Sequence, residues 1–286
     1  MNPLWMEPLP FLLLLTLLGA IMGSFLSMLV HRLPRMMQQE WHNECQQLLF
    51  QQQNRSPATE NLAFPNSYCP HCHHPLRWRD NLPLLGYLIN RGRCYHCHHP
   101  IHWRYFAIEL LATLVAFTAA LHFGPTTAAV LSAAVGWVLL ALLFIDLEHQ
   151  LLPDSLTLPL LWGGLIANQF SLFASPSSAL WGAIAGYLSL WTIFHLYRLF
   201  TGKIGMGHGD FKLFAALGAW CGWQLLPQIL LFASVIGILA ALPLLWKRQV
   251  TLTSAIPFGP FLALGGWLSL MFGNLMQPLL LMRISG

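Results

Sequence analysis

The sequence has little charge for its length. Of its 286 residues, only 8% are Asp, Glu, Lys or Arg, whereas 56% are hydrophobic. About a quarter of the residues of a soluble domain are charged, and a disordered chain combines low hydrophobicity with high net charge. The composition excludes both classes and predicts an all-α protein that crosses a lipid bilayer several times.

Several motifs of common enzymes are also absent. The chain contains no H-E-x-x-H, no G-x-S-x-G and no Walker loop, and no G-x-G-x-x-G follows a strand pattern. The sequence therefore gives no indication of a zincin-type metalloprotease, a serine hydrolase or a nucleotide-binding Rossmann domain. It gives no indication of a nucleic-acid partner or of an oligomeric state either.

Hydrophobic runs of sufficient length predict about eight membrane-spanning helices. The first run is interpreted as a retained anchor, because no basic residue precedes it and no clear small-x-small cleavage site is present. The predicted spans are 9–30, 105–123, 127–146, 155–173, 178–199, 210–223, 226–246 and 256–277.

The positions of Lys and Arg predict the orientation. Eight of the fourteen basic residues lie between spans one and two, three flank the turn between spans five and six, and two come after span seven. With eight crossings, thirteen of them share one face, and only Arg283 lies on the other. Because basic residues stay on the cytoplasmic side, we expect 31–104 to be cytosolic and both termini to be periplasmic.

Residues 36–66 are rich in Gln and are predicted to form a loop. A short interfacial helix is the alternative, because four residues recur there at helical spacing: Met37, Trp41, Cys45 and Leu48. The predicted domains are a first membrane helix (1–30), a small cytosolic zinc-ribbon-like lobe (31–104) and a seven-helix membrane domain (105–286).

The cytosolic segment contains a duplicated cysteine motif. The decapeptide that begins at Cys69 and the one that begins at Cys94 match at seven of ten positions. Two C-x-x-C turns at this spacing place four sulfurs around one tetrahedral metal ion, and thiolates favour zinc. The predicted ligands are therefore Cys69, Cys72, Cys94 and Cys97.

Other interpretations of these cysteines remain open. Two disulfides are disfavoured by a reducing cytosol, and a redox C-x-x-C is normally single. A neighbouring histidine could replace one sulfur, although surface positions are the simpler interpretation. These histidines are His71, His73, His74, His96, His98 and His99.

Two acidic residues at predicted span ends are candidates for function, because ionisable groups near the bilayer are costly. Asp146 ends span three and Asp210 begins span six. If their carboxyl groups meet, they share one proton, so that one activates water and the other protonates a peptide carbonyl oxygen. Gly207 and Gly209 would allow close backbone approach and conformations closed to other residues. Solvated helix-end charges, or proton or cation carriers in a transporter, are the alternatives.

These segments, in this order, resemble the type IV prepilin peptidases, which are bifunctional leader peptidase/N-methyltransferases. The resemblance covers nearly the whole chain, although Ser27 stands where the family usually has Asn and Phe106 where it usually has Pro. The segments that carry it are Gly23–Pro34, the paired C-x-x-C turns, Arg104–Glu109, Asp146 with Pro153-Asp154, the G-x-G-D motif with its next residues in Gly207–Lys212, and Ile256–Phe261.

The resemblance implies a bacterial inner-membrane enzyme that cleaves prepilin or pseudopilin leaders on the cytoplasmic side. Asp146 and Asp210 would be the catalytic pair, and the motif that ends at Lys212 would contact substrate. The enzyme would also methylate the new N-terminal residue with S-adenosylmethionine as donor. The complete cytosolic lobe is linked to this second step, with Glu109 and Gly92 as candidate residues; a plain turn is the alternative for Gly92. A peptidase without methyl transfer, and a transporter or scaffold with a zinc lobe, are the alternative functions.

Overall fold

The computed structural model describes residues 8–50, 61–62, 68–69, 71–77, 79–203, 206–246 and 257–273. Most of these residues are helical, and no β-strand longer than an isolated bridge occurs among them. The predicted all-α fold class is confirmed. The helices are α1 (Pro8–Phe50), α2 (Leu85–Ile89), α3 (Trp103–Phe123), α4 (Thr127–His149), α5 (Asp154–Gln169), α6 (Pro176–Thr201), α7 (His208–Cys221), α8 (Leu226–Trp246) and α9 (Gly259–Phe272).

Eight of these helices lie at the predicted spans. Five segments in the described ranges are long and apolar enough to cross a bilayer: α1, α3, α4, α6 and Trp223–Pro243, which contains most of α8. The three shorter helices α5, α7 and α9 have 16, 14 and 14 residues. The chain divides into two compact units at residues 141 and 142, while the domain boundaries predicted at residues 30 and 104 stay predictions.

Helix α1 is longer than predicted. It continues through Pro34 to Phe50, so the expected loop over 36–66 is wrong for 36–50. A proline removes only one backbone donor, and the Met, Gln, Glu and Leu residues after it favour helix. Because propagation from an existing helix needs no new nucleation, the four residues at helical spacing extend α1 instead of forming a separate helix. Residues 51–60 and 63–66 lie outside the described ranges.

In the first unit, α1 packs closely on α3 through small residues. A Cβ atom at Gly19 would lie 2.6 Å from the Cβ of Ala116, and one at Gly23 would lie 2.6 Å from the Cα of Glu109. Gly19 and Gly23 form a G-x-x-x-G pattern, which allows helix backbones to approach within a bilayer. This contact places Glu109 directly against α1.

The cysteine lobe repeats one local structure twice. Antiparallel bridges join Tyr68 to Pro75 and Arg93 to Pro100. The backbone N–H of Cys69 donates to the carbonyl of His74 at 2.9 Å, and that of Cys94 donates to His99 at 2.9 Å. His73 and His98 both have positive φ angles, at 55° and 54°. The sequence duplication therefore corresponds to a structural one.

Helix α7 is the centre of the second unit and is buried from Asp210 to Cys221 except at Lys212, which is partly exposed. It packs against α6 where Gly182 and Gly218 face each other, and a Cβ atom at either glycine would overlap the carbonyl of the other. The side chain of Asn168 on α5 donates to the carbonyl of Ala219 at 2.8 Å, which fixes the far end of α7. These contacts fix the C-terminal half of α7 against α5 and α6.

Candidate functional site

Asp146 lies in the last turn of α4 and does not end it, because α4 continues for three residues to His149. Its side chain turns into the protein, with only 5% of the residue exposed. The Oδ2 atom is buried and lacks a well-aligned hydrogen bond, and the backbone N–H of Gly259 interacts with this carboxyl group. Burying a carboxyl group with so little hydrogen bonding is costly, which makes Asp146 a candidate for function rather than for stability.

Asp210 is the third residue of α7, and Gly207 is its N-cap. The residue is 6% exposed, and its backbone N–H donates to the carbonyl of Gly207 at 3.3 Å. The N-terminal end of a helix favours a negative charge. This placement therefore compensates part of the cost of burying an ionised Asp210.

Both carboxyl groups lie in the second unit, near enough for the charge of Asp146 to act on Asp210. Leu152, in the turn after α4, lies under the first turns of both α7 and α9. A Cβ atom at Gly209 would lie 2.6 Å from the Cβ of Leu152, and one at Gly259 would lie 3.2 Å from its Cδ1.

Gly259 is a site residue whose role the sequence did not reveal. A Cβ atom there would lie 2.5 Å from Oδ2 and 3.2 Å from Cγ of Asp146. The residue falls in the Ile256–Phe261 segment, so the motif was visible but its contact with Asp146 was not. Ile256 itself lies outside the described residues.

The two glycines before Asp210 differ in their roles. Gly209 allows the close contact with Leu152. Gly207 has φ −80° and ψ 149°, which any residue adopts, so the expected special conformation is not observed there. Its position is exposed, and a Cβ atom would lie 3.8 Å from Oδ2 of Asp210.

Lys212 forms an ion pair that the sequence analysis did not predict. Its Nζ donates to both carboxylate oxygens of Asp154 at 2.7 Å. Both side chains are partly exposed, and exposed pairs contribute about 0–1 kcal/mol to stability. The pair joins the start of α5 to the first turn of α7.

The four predicted cysteine ligands form one cluster. Their sulfur atoms all lie within 4.8 Å of one another, and the sulfurs of Cys69 and Cys97 are 3.9 Å apart. A tetrahedral site with Zn–S bonds of about 2.3 Å separates its sulfurs by ~3.8 Å, so these residues fit a metal ion. All four are free thiols.

Without a metal ion, the thiols of this cluster differ in pKa. A backbone hydrogen bond from Cys97 is the largest influence that lowers the pKa of Cys94 to about 7. The backbone N–H of His99 favours the Cys97 thiolate, but burial and the neighbouring sulfurs outweigh it and raise the pKa of Cys97 to about 12. A bound cation would offset the repulsion among four thiolates.

The surrounding histidines stack in pairs across the duplication. The rings of His71 and His99 have centroids 4.2 Å apart, and those of His74 and His96 are 4.4 Å apart. The four-sulfur cluster includes no histidine. Of the two remaining cysteines, Cys45 is exposed and Cys221 is buried.

The two candidates for methyl transfer occupy different places. The Oε2 atom of Glu109 accepts a hydrogen bond from the backbone N–H of Leu84 at 2.7 Å, and its side chain lines a cavity. Gly92 has a positive φ of 68° and lies beside Tyr87, whose ring stacks on Phe106. This geometry is that of a turn, and Gly92 is not among the residues that line the cavity.

Comparison with known proteins finds two matching family models. The bacterial peptidase A24 N-terminal domain matches residues 17–123, and the type IV leader peptidase family matches 133–242. A prepilin leader peptidase/N-methyltransferase of Pseudomonas aeruginosa is 49% identical over 268 residues, which cover 94% of this chain and 92% of that protein. Proteins of the same name from Aeromonas hydrophila and Legionella pneumophila are 45% and 44% identical over 262 residues each. The match to the Aeromonas protein covers 91% of this chain and 90% of that protein, and the match to the Legionella protein covers 92% of this chain and 91% of that protein. No solved structure matches the chain.

Proposed function

Because the chain belongs to the type IV leader peptidase family, we propose that it cleaves the leader peptide of type IV prepilins or pseudopilins and methylates the amino group that the cut exposes. The observation that carries the cleavage is the buried carboxyl pair of Asp146 and Asp210. Relatives that match more than nine-tenths of the chain bear both activities in their name.

In the proposed cleavage the two carboxyl groups hold one proton between them, since two buried neighbouring carboxylates repel. The ionised carboxyl takes a proton from water as the water attacks the peptide carbonyl carbon. The other carboxyl gives its proton to the carbonyl oxygen, which leaves a carbon with two hydroxyl groups. As the C–N bond breaks, the first carboxyl passes its proton to the leaving amine and the second takes one hydroxyl proton as the C=O bond re-forms, so the pair again holds one proton. The buried Oδ2 of Asp146 supports this role, because it has no well-aligned hydrogen bond among the described residues and can accept one from water or substrate.

The substrate side of the site is proposed to include Gly207, Gly209 and Lys212. The exposed Gly207 has no side chain beside Asp210, which leaves room for an extended peptide. The Lys212 side chain is about one-third exposed and belongs to the helix that Gly207 caps. In this proposal its ammonium group reaches the substrate from its ion pair with Asp154.

The second activity is proposed to depend on the first unit. The four thiols bind zinc, which stabilises a lobe with little core of its own. S-adenosylmethionine supplies the methyl group: the new N–C bond forms as the C–S bond breaks, and the amine releases one proton. Glu109 lines the cavity beside this lobe, whereas Gly92 shapes the turn that leads to Cys94.

We further propose an inner-membrane location with 31–104 in the cytosol and both termini in the periplasm. The apolar helices support a membrane location, and the distribution of Lys and Arg supports the orientation. Several basic residues on which the orientation depends lie outside the described residues: Arg55, Lys247, Arg248 and Arg283.

The test uses purified full-length protein in detergent with a prepilin and a methyl-labelled donor. We expect wild type to shorten the prepilin and label its new N-terminus. Asp146→Asn or Asp210→Asn should lower cleavage by about 10²–10⁴-fold, because each removes an acid–base group. Thermal stability should not fall, since each substitution removes a buried charge.

The matched control is Glu148→Gln, which removes an exposed carboxyl from the same end of α4 and should leave cleavage intact. Substantial cleavage by either Asp variant would contradict the two-carboxyl mechanism. Pre-cleaved pilin, supplied with the labelled donor, tests the second activity separately. Absence of label with an active peptidase would leave a protease without methyl transfer.

A further inference from the structure

A cavity of about 370 Å³ lies inside the first unit, between α1, α3 and the cysteine lobe. Small-molecule sites typically measure about 300–1,000 Å³, so a compact cofactor fits it. All of its lining residues fall within 24–109. The proposed cleavage uses none of them.

One wall of the cavity is a polar stripe on α1. Its members recur at helical spacing and therefore share one face of the helix. Earlier in α1 the exposed residues are leucines, such as Leu13, Leu14 and Leu17, as expected for a surface in lipid. The helix thus changes from a lipid-facing surface to a cavity lining. The lining residues on α1 are Ser24, Ser27, Met28, His31, Arg32 and Arg35.

Glu109 is the acidic residue that α3 contributes to the lining. The hydrogen bond from the Leu84 N–H holds its Oε2 atom in place, and Gly23 brings the α1 backbone against its Cα. Leu84 has a positive φ of 60°, which is uncommon for a residue with a side chain. The local backbone is therefore arranged so that its N–H points at this carboxylate.

Charges of both signs enter the cavity from different walls. Arg32 is 7% exposed and donates to the carbonyl of Asn61 at 2.9 Å, and Arg35 lines the same side. Asp80 comes from the lobe, where the side chain of Asn90 donates to it at 2.9 Å. The lining thus offers separate anionic and cationic groups, which suits a ligand that carries both charges.

We propose that this cavity binds S-adenosylmethionine and that Glu109 provides the negative charge for its cationic part. The inference rests on the proposed methyl transfer and assigns its donor site. The donor combines a sulfonium cation, an ammonium group and a carboxylate with an adenosine. The acidic residues match its cations, the arginines match its carboxylate, and the rings of Tyr68 and Tyr105 offer faces for the adenine.

The test is a binding measurement on the full-length protein in detergent, by isothermal titration calorimetry. The ligands are S-adenosylmethionine and S-adenosylhomocysteine, which lacks the positive charge on sulfur. We expect wild type to prefer the charged ligand. Glu109→Gln should lower the affinity for S-adenosylmethionine by about tenfold. It should also remove most of the preference over S-adenosylhomocysteine, because a neutral amide does not compensate the positive charge of the sulfonium.

Glu44→Gln is the matched control, because it removes the same charge from an exposed position on α1 and should bind both ligands as wild type does. Zinc content and the melting temperature show whether each variant is folded. If the folded Glu109→Gln variant keeps the wild-type affinity and preference, the cavity assignment is overturned. If wild type binds neither ligand, the proposed methyl transfer falls together with it.

A second measurement needs no variant. Ultraviolet cross-linking of wild type to donor labelled in its methyl group, followed by peptide mapping, should place the label within residues 24–109. Label confined to residues 142–273 would overturn the assignment even where the binding data agree with it.

Discussion

At the scale of single residues, Gly259 determines how closely α9 approaches the Asp146 carboxyl group. The space for a Cβ atom at this position is already occupied by Oδ2 of Asp146. A side chain at 259 therefore acts first on the carboxyl itself, and its other close neighbour is the flexible end of Leu152 at 3.2 Å. This makes the residue a positioning group for the proposed cleavage.

Gly259→Ala should lower prepilin cleavage by about 10²-fold, because a displacement of about 1 Å at a reacting group costs that much. The loss should appear in kcat more than in KM, since the carboxyl moves while the peptide still binds. Steady-state cleavage assays in detergent measure both constants.

Gly163→Ala is the control for this substitution. Its new Cβ would lie 3.4 Å from the Trp220 ring, an ordinary contact, so cleavage should stay near the wild-type rate. Wild-type kcat in a folded Gly259→Ala variant would show that the carboxyl tolerates the added methyl group.

The site residues that the sequence could predict are those whose chemistry is visible in their type. Asp146 and Asp210 are costly at a membrane boundary wherever they point, so their positions alone made them candidates. Gly259 and Leu152 carry no reactive group, and their role depends only on how closely they approach Asp146 and the first turn of α7. A distance between the end of one helix and the start of another depends on packing across the unit, which local sequence does not encode.

At the scale of elements, the cysteine lobe has a duplicated design. Both knuckles use the same bridge, the same backbone hydrogen bond and the same positive φ at equivalent histidines. The two knuckles share one cluster of four sulfurs, and histidine rings stack between them, His71 on His99 and His74 on His96. Loss of a single sulfur should therefore affect the whole lobe.

Cys72→Ser should lower the zinc content well below that of wild type and lower the temperature at which the lobe unfolds. The reason is that metal binding supplies folding free energy in small metal-bound lobes. Metal analysis with thermal unfolding measures both effects, and Cys45→Ser, at an exposed position on α1, is the control. Full zinc content and stability in Cys72→Ser would remove the metal assignment.

Helix positions were predicted more accurately than helix ends. The hydrophobic runs located eight of the nine described helices, five of which are long and apolar enough to cross a bilayer, because lipid selects directly for apolar side chains. The end of a helix depends instead on the residues after the apolar run. Helix α1 continues into good helix formers, and α4 passes Asp146 by three residues. Both errors arose where apolarity ends but helical propensity does not.

At the scale of the whole molecule, the orientation proposed from charge has a direct chemical test. Cys45 is exposed on the part of α1 that lies beyond the membrane run. A membrane-impermeant maleimide should label it in inverted inner-membrane vesicles and not in intact spheroplasts. Mass shift on gels reports the labelling.

The Cys45→Ser variant identifies which signal belongs to this cysteine, since the two partly exposed cysteines, Cys72 and Cys97, would be held by metal. Labelling of Cys45 in spheroplasts would place 31–104 in the periplasm and reverse the orientation. The proposed access of a cytosolic methyl donor would then fail as well.

The shortness of α7 has a consequence for hydration. With 14 residues and a rise of about 1.5 Å per residue, it extends for ~21 Å, whereas the hydrocarbon layer is about 30 Å thick. The helix is buried among α5, α6 and α9, so protein and not lipid surrounds it along its length. Asp210 lies in the first turn of this helix, so water needs to reach only the end of the helix, and not its middle, to take part in hydrolysis of the peptide bond.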